Sequence, residues 1–200
     1  MNEEEIKQVK EHLEPRKVQG YWQKVLSNAA LVKEHIGADD EQLLKSIENI
    51  SVIDEEGTDN FTIVFDLAEN EIIANKQLTK KFYIKKDSPT KSDGTKIEWK
   101  GRNLCVKEVK KKQKNKKTGQ QRVVTKTVDA KSFFNFFRTI EECEDVNPLE
   151  ATEEQMQHRE KLEEDFEIGG VIVDEVLPYS LEYFLGIEHE GDEDFGDDGE

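Results

Sequence analysis

The order of its hydropathy patterns predicts an α+β fold for this 200-residue chain. Helical periodicity fills residues 21–47, alternation of period two follows from residue 50, and helical periodicity returns after residue 150. Strands that follow one another, rather than alternating with helices, predict an antiparallel sheet.

Each element has its own signal. Ile6, Val9 and Leu13 lie at helical spacing, and Pro15 ends that short helix. A second helix is predicted over residues 21–36, where Trp22, Val25, Leu26, Ala29, Val32 and Ile36 form one apolar stripe, with Gly37 as its C-cap. Asp39 and Asp40 supply an N-cap for a third helix carrying Leu43, Leu44 and Ile47. Ile50 and Val52 then begin an alternation. After the turn Glu55-Glu56-Gly57-Thr58-Asp59-Asn60, the residues Phe61, Ile63, Phe65 and Leu67 alternate with Thr62, Val64 and Asp66, which predicts a strand with one buried face. A further strand spans residues 78–85 with Phe82 and Ile84 inward. A polar loop containing Ser88-Pro89 and Asp93-Gly94 should lead to a fourth strand near residues 97–99 or at Asn103, with Leu104 and Val106 on one face.

Residues 110–117 hold six lysines in eight positions, and the chain returns through Val123, Val124 and Val128. This predicts a basic β-hairpin with Thr118-Gly119 near its tip. Asp129 or Ser132 caps the next element, whose Phe133-Phe134-Asn135-Phe136-Phe137 block places its aromatic rings in the core. A charged helix follows over residues 152–168, with Met156, Leu162 and Phe166 as its apolar positions. Gly169-Gly170 should break or kink it before Pro178, and a helical turn over residues 179–185 ends at Gly186. Residues 187–200 are acidic and glycine-rich, a composition that predicts disorder.

The charge distribution is as informative as the pattern. Only 34% of the residues are apolar and 37% are charged, against roughly 25% charged in ordinary domains, and the formal charge is −16. Residues 85–126 carry 15 Lys and Arg against 4 Asp and Glu, whereas residues 141–200 carry 2 against 23. A segment of net charge −21 repels nucleic acid and attracts cationic partners. DNA binding is therefore weak at most. The lysine run fits a nuclear-import signal, a phosphate-contacting patch or a solvated sheet edge that resists aggregation.

Several function classes find no support. No apolar run approaches the ~20 residues that cross a bilayer, and the start Met1-Asn2-Glu3-Glu4-Glu5 has the wrong charge for a signal peptide, so a soluble intracellular protein is expected. Cys105 and Cys143 match neither a disulfide framework nor a zinc spacing, and His12, His35, His158 and His189 are scattered. Asp194-Phe195-Gly196 reproduces a kinase tripeptide without the accompanying kinase motifs, and the acidic tail fails the EF-hand spacing. No enzyme, cofactor or metal is expected.

A series of pieces in order resembles the nucleosome assembly protein/SET family of histone chaperones. They are Gly20-Tyr21-Trp22-Gln23-Lys24-Val25-Leu26; the strand over residues 61–67 with Asn70-Glu71; Leu78-Thr79-Lys80; Ile97-Glu98-Trp99-Lys100; and the lysine-rich hairpin between Val106 and Val128. Ser132-Phe133-Phe134-Asn135-Phe136-Phe137, Glu164-Asp165-Phe166-Glu167-Ile168-Gly169, Leu177-Pro178, Tyr183-Phe184 and Gly186 complete a series covering some five-sixths of the chain.

The resemblance implies an "earmuff" domain over residues 20–186, an antiparallel sheet carrying the protruding basic hairpin with helices packed beneath it, between a lead-in at 1–19 and an acidic tail at 187–200. It implies binding of core histones on acidic surfaces, for nucleosome assembly or disassembly and histone transport without ATP; a SET-like adaptor or inhibitor, for example of a phosphatase, is the alternative. From local charge and helical placement, the histone-contacting carboxylates are expected among Glu163, Glu164, Asp165, Glu167, Asp174 and Glu175, and among Glu188, Glu190, Asp192, Glu193, Asp194, Asp197 and Asp198 of the tail. Lys110, Lys111, Lys112, Lys114, Lys116 and Lys117 are expected to engage a nuclear import receptor, giving a protein that shuttles between nucleus and cytoplasm. Family members carry a long dimerisation helix upstream of the aromatic-Trp segment. Here 19 residues precede Gly20 and Pro15 divides them, so that helix is expected to be short or absent and homodimer formation stays open.

Overall fold

The computed structural model describes residues 18–114, 121–142 and 151–187. The predicted helix before Pro15, the hairpin tip at Thr118-Gly119 and the tail beyond Ile187 lie outside the described residues. Helices α1 (Tyr21–Asn28), α2 (Ala30–His35) and α3 (Glu41–Leu44) precede a four-stranded antiparallel sheet: β1 (Ile47–Asp54), β2 (Phe61–Leu67), β3 (Gln77–Lys85) and β4 (Ser88–Gly94), adjacent in that order. A separate two-stranded hairpin, β5 (Val106–Lys114) and β6 (Gln121–Asp129), follows. A 3₁₀ turn (Phe133–Phe137), helix α4 (Glu153–Val171), a π-helical turn (Ile172–Val176) and helix α5 (Ser180–Leu185) complete the α+β fold.

Four sequence expectations need correction. The stripe of residues 21–36 is not one helix, because Ala29 is extended (φ −78°, ψ 113°) and divides it. The bend accompanies an anchor: Asn28 Nδ2 donates to the Tyr183 carbonyl at 2.6 Å, tying α1 to α5, while Ala29 and Val32 both stay buried. Gly37 is not a left-handed cap; Ile36 caps α2, and a Cβ on Gly37 would fall 2.1 Å from the Lys131 carbonyl oxygen. The third helix ends at Leu44, and Ile47 opens β1. Asp40 is the N-cap residue of that helix, as expected, but its side chain makes no capping hydrogen bond there. Its buried carboxylate accepts the Gly37 N–H (2.8 Å), the Ser132 hydroxyl (2.7 Å) and the Phe133 N–H (2.7 Å), binding the helical segment to the aromatic turn.

The second strand hairpin is the third correction. Residues read as a polar loop form β4, entered through Lys86 and Asp87 at φ 54° and 60°, the left-handed pair of a tight hairpin turn. Residues 97–99 form no strand, and Trp99 makes an isolated bridge to Ile73. β4 is an edge strand, which tolerates Pro89, and its Ser92 exchanges backbone hydrogen bonds with Ile140 (3.0 and 2.8 Å). Fourth, Gly169-Gly170 does not break α4. The helix continues to Val171 because Gly169 is where it presses on the sheet: a Cβ there would lie 2.7 Å from the Phe82 ring.

The sheet's inner face is built as the alternation requires. Ile63 faces Lys80 and Val52, Phe65 faces Leu78 and Ile50, and Phe61 faces Phe82 across the register. The four phenylalanines of the 3₁₀ turn are at most 3% exposed and pack on this face, with the Phe65 ring 5.1 Å from that of Phe137 and 6.0 Å from that of Phe133. Ser132 caps the turn by accepting the Phe134 N–H. Helix α4 starts with a capping box between Thr152 and Gln155, and lays Phe166 against Phe61 (6.2 Å) and Phe82 (5.6 Å). Of its expected apolar positions Leu162 is buried, whereas Met156 is 49% exposed. At the far end Tyr21 stacks on Phe184 at 4.8 Å, and α5 ends at Gly186 in the left-handed conformation.

Candidate functional site

Two oppositely charged surfaces leave this core. The first is the outer side of α4 and the π-helical turn. Glu163, Glu164 and Glu167 are exposed there, as are Asp174 and Glu175, and the helix adds exposed Glu153, Glu154 and Glu160. Those last three were not singled out from the sequence, although the same helical charge pattern marks them. The carboxylates stay outward because Leu162, Phe166, Ile168 and Gly169 hold the opposite side of the helix to the sheet and aromatic turn.

Asp165 departs from its neighbours. Its side chain is only 14% exposed and accepts a 2.5 Å hydrogen bond from Lys80 Nζ, and the Lys80 side chain is fully buried. This carboxylate belongs to the fold and is not free to meet a partner, which corrects its expected role. The lysine arises from strand alternation: Lys80 lies between Leu78 and Phe82 on the inner face, a place where a lone lysine in a sequence gives no warning. Burial pushes the Asp165 carboxyl up to about 6 against the attraction of Lys80, and burial pushes the Lys80 ammonium down against the attraction of Asp165. Lys80 Nζ also donates to the Arg138 carbonyl at 2.8 Å, and lies 5.4 Å from the Phe136 ring centre.

Arg138 joins this pair to the second surface. Its guanidinium makes a forked contact with Asp129 at the end of β6 (3.1 and 3.0 Å) and reaches the Cys105 carbonyl just before β5. The contact holds Asp129 below the usual carboxylate range. The sequence Asp165, Lys80, Arg138, Asp129 thus connects the acidic helix through the buried sheet face to the base of the basic hairpin. Lys110, Lys111, Lys112 and Lys114 lie on β5, while Lys116 and Lys117 fall outside the described residues. The tail carboxylates Glu188, Glu190, Asp192, Glu193, Asp194, Asp197 and Asp198 also fall outside them.

A half-open cleft of about 410 Å³ separates α2, the aromatic turn and α4, with Glu34, His35, Asn135 and Glu164 among its lining residues. His35 Nδ1 lies 3.7 Å from Glu164 Oε1. Among the described residues no group of three or more His, Cys, Asp or Glu side chains is placed to hold a metal ion, and no helix is long and apolar enough to cross a membrane. Cys105 is buried, and burial raises its thiol pKa, which opposes nucleophilic use.

Comparison with known proteins gives this arrangement relatives. The family model described as nucleosome assembly protein (NAP) matches residues 1–187. Nucleosome assembly protein 1-like 1-A of Xenopus laevis is 35% identical over 207 residues, covering 96% of this chain and 51% of the relative. Nucleosome assembly protein 1-like 4 of Homo sapiens is 32% identical over 207 residues, covering 94% and 54%. The chain therefore spans about half the length of the curated relatives it matches. Among solved structures, nucleosome assembly protein 1 from Plasmodium knowlesi superposes with a TM-score of 0.64 at 27% identity, covering 86% of this chain and 69% of that one.

Proposed function

This chain belongs to the nucleosome assembly protein family, and on that footing we propose that it is a histone chaperone, binding core histones through its acidic surfaces and releasing them for nucleosome assembly without ATP. The observation that carries the reading is the outward acidic side of α4, where Glu163, Glu164 and Glu167 are displayed by a helix whose other side is fixed in the core. Free histones are strongly cationic and bind DNA largely through counterion release. A polyanionic surface competes for the same charges. Contacts between exposed groups are individually worth only ~0.2–1 kcal/mol, so many of them can hold a histone while each exchanges readily.

In this reading the tail carboxylates Asp192, Glu193 and Asp194 extend the helical surface. The lysines of the hairpin engage an import receptor, and the protein moves between cytoplasm and nucleus. A titration of the full chain with each core-histone pair tests the proposal. Binding should weaken as salt rises, and neutralising Asp192, Glu193 and Asp194 together should weaken it more than neutralising Glu3, Glu4 and Glu5. Equal effects from the two triples would remove the tail from the site. Replacing Lys110, Lys111, Lys112 and Lys114 by alanine should impair nuclear accumulation while leaving histone binding in place; normal accumulation would discard the import role.

A further inference from the structure

We propose that the cleft between α2, the aromatic turn and α4 binds an arginine side chain of a basic partner, an inference that rests on the chaperone reading for the identity of that partner. Three features of the cleft match an arginine from stem to tip. Its apolar lining is Phe133, Phe136 and Ile168, each at most 3% exposed, which suits the aliphatic stem. Glu34 and Glu164 are exposed carboxylates from opposite walls. Asn135 lines the cleft as well, and its Oδ1 is buried and accepts no hydrogen bond among the described residues, while its Nδ2 is held by the Ala130 carbonyl at 2.9 Å. That bond fixes which way the amide faces. A buried acceptor left without a donor is costly.

Carboxylates on two walls beside a buried, unpartnered acceptor suit a ligand with several donors in a fixed planar fork, which the guanidinium has with five N–H groups and lysine's compact ammonium lacks. Three further titratable groups line the cleft. Asp165 lines it but is held by Lys80, and Lys131 is an exposed cation that competes with an incoming one. His35 lies 3.7 Å from Glu164 and, when protonated, competes for that carboxylate.

The test uses the full chain and two small probes, N-acetyl-arginine amide and its neutral isostere N-acetyl-citrulline amide, followed by NMR. The arginine probe should give saturable shifts at Ser132, Asn135 and Glu164, and the citrulline probe should not. Combining Glu34→Gln with Glu164→Gln, both on exposed side chains, should weaken the arginine probe about three- to tenfold, as expected for two solvent-facing charge contacts. Lys131→Gln should tighten it about twofold. Equal shifts from citrulline, or arginine binding unchanged in the double variant, would overturn the site. Histone titration on the same proteins separates the two readings. A wild-type chain that binds histones without arginine-specific shifts refutes the cleft alone; one that shows the shifts yet binds no histone refutes the chaperone reading alone.

Discussion

Replacing Lys80 by methionine removes the ammonium that the buried Asp165 carboxylate accepts, and leaves the Arg138 carbonyl without its 2.8 Å donor. Lys80 is fully buried and Asp165 is 14% exposed, so water restores little of what is lost. Removing one partner of a buried ion pair costs ~3–5 kcal/mol. For a chain of this size that corresponds to a fall in Tm of roughly 6–20 °C. The loss should be larger at neutral pH than at pH 5, where the Asp165 carboxyl, raised by burial and no longer held down by Lys80, already carries its proton. The double variant Lys80→Met with Asp165→Leu should return to within ~1 kcal/mol of wild type or exceed it, since an apolar pair avoids the desolvation of two charges. Denaturant unfolding of the three proteins at both pH values is the assay. A single variant costing less than ~1 kcal/mol, or a double variant as unstable as the single, would refute the claim that this pair locks α4 to the sheet.

Three further outcomes follow from the same geometry. Gly169→Ala should destabilise by ~1–3 kcal/mol through its 2.7 Å approach to Phe82, whereas Gly170→Ala, with nothing within 4 Å, should stabilise by ~0.5–1 kcal/mol; equal effects in denaturation would contradict the packing of α4. The Asp165 carboxyl should titrate in the folded protein near 6, followed by carbon NMR, and a midpoint below its ordinary 3.8 would contradict the dominance of burial. Because the folded value is raised, this group's stabilising contribution is complete below about 3.8 and is lost as pH rises through about 6, so wild-type stability relative to Asp165→Asn should fall by ~3 kcal/mol across that window. Arg138→Gln should speed amide exchange at the base of β5 and β6 while the four-stranded sheet keeps its protection, since Lys80 uses the Arg138 backbone carbonyl and not its side chain.

Strong local signals carried the parts that were legible in the sequence. The alternation from Phe61 to Leu67, the paired lysine and valine runs of the hairpin, and the charged helix after Thr152 each have a period that only one element satisfies. The phenylalanine block was legible as core because four adjoining rings need cover on every side. What escaped notice depends on tertiary contacts. Ala29 leaves the helix although its stripe is unbroken, and β4 pairs through backbone groups while its side chains, Ser88, Pro89, Thr90, Lys91, Ser92, Asp93 and Gly94, show no apolar alternation. Asp165 reads as a surface charge in the sequence because burial of its pair with Lys80 is decided by two elements 85 residues apart. The acidic side of α4 was legible in outline, and the one member of it turned inward was not.

Assembly of nucleosomes from purified core histones and DNA, with this chain present and no nucleotide added, tests the chaperone reading most directly. Nuclease-resistant particles should form at physiological salt, where histones and DNA alone aggregate, and variants neutralised at Glu163, Glu164 and Glu167 should yield fewer of them. Aggregation as heavy as in the protein's absence, or assembly that begins only when ATP is supplied, would contradict it.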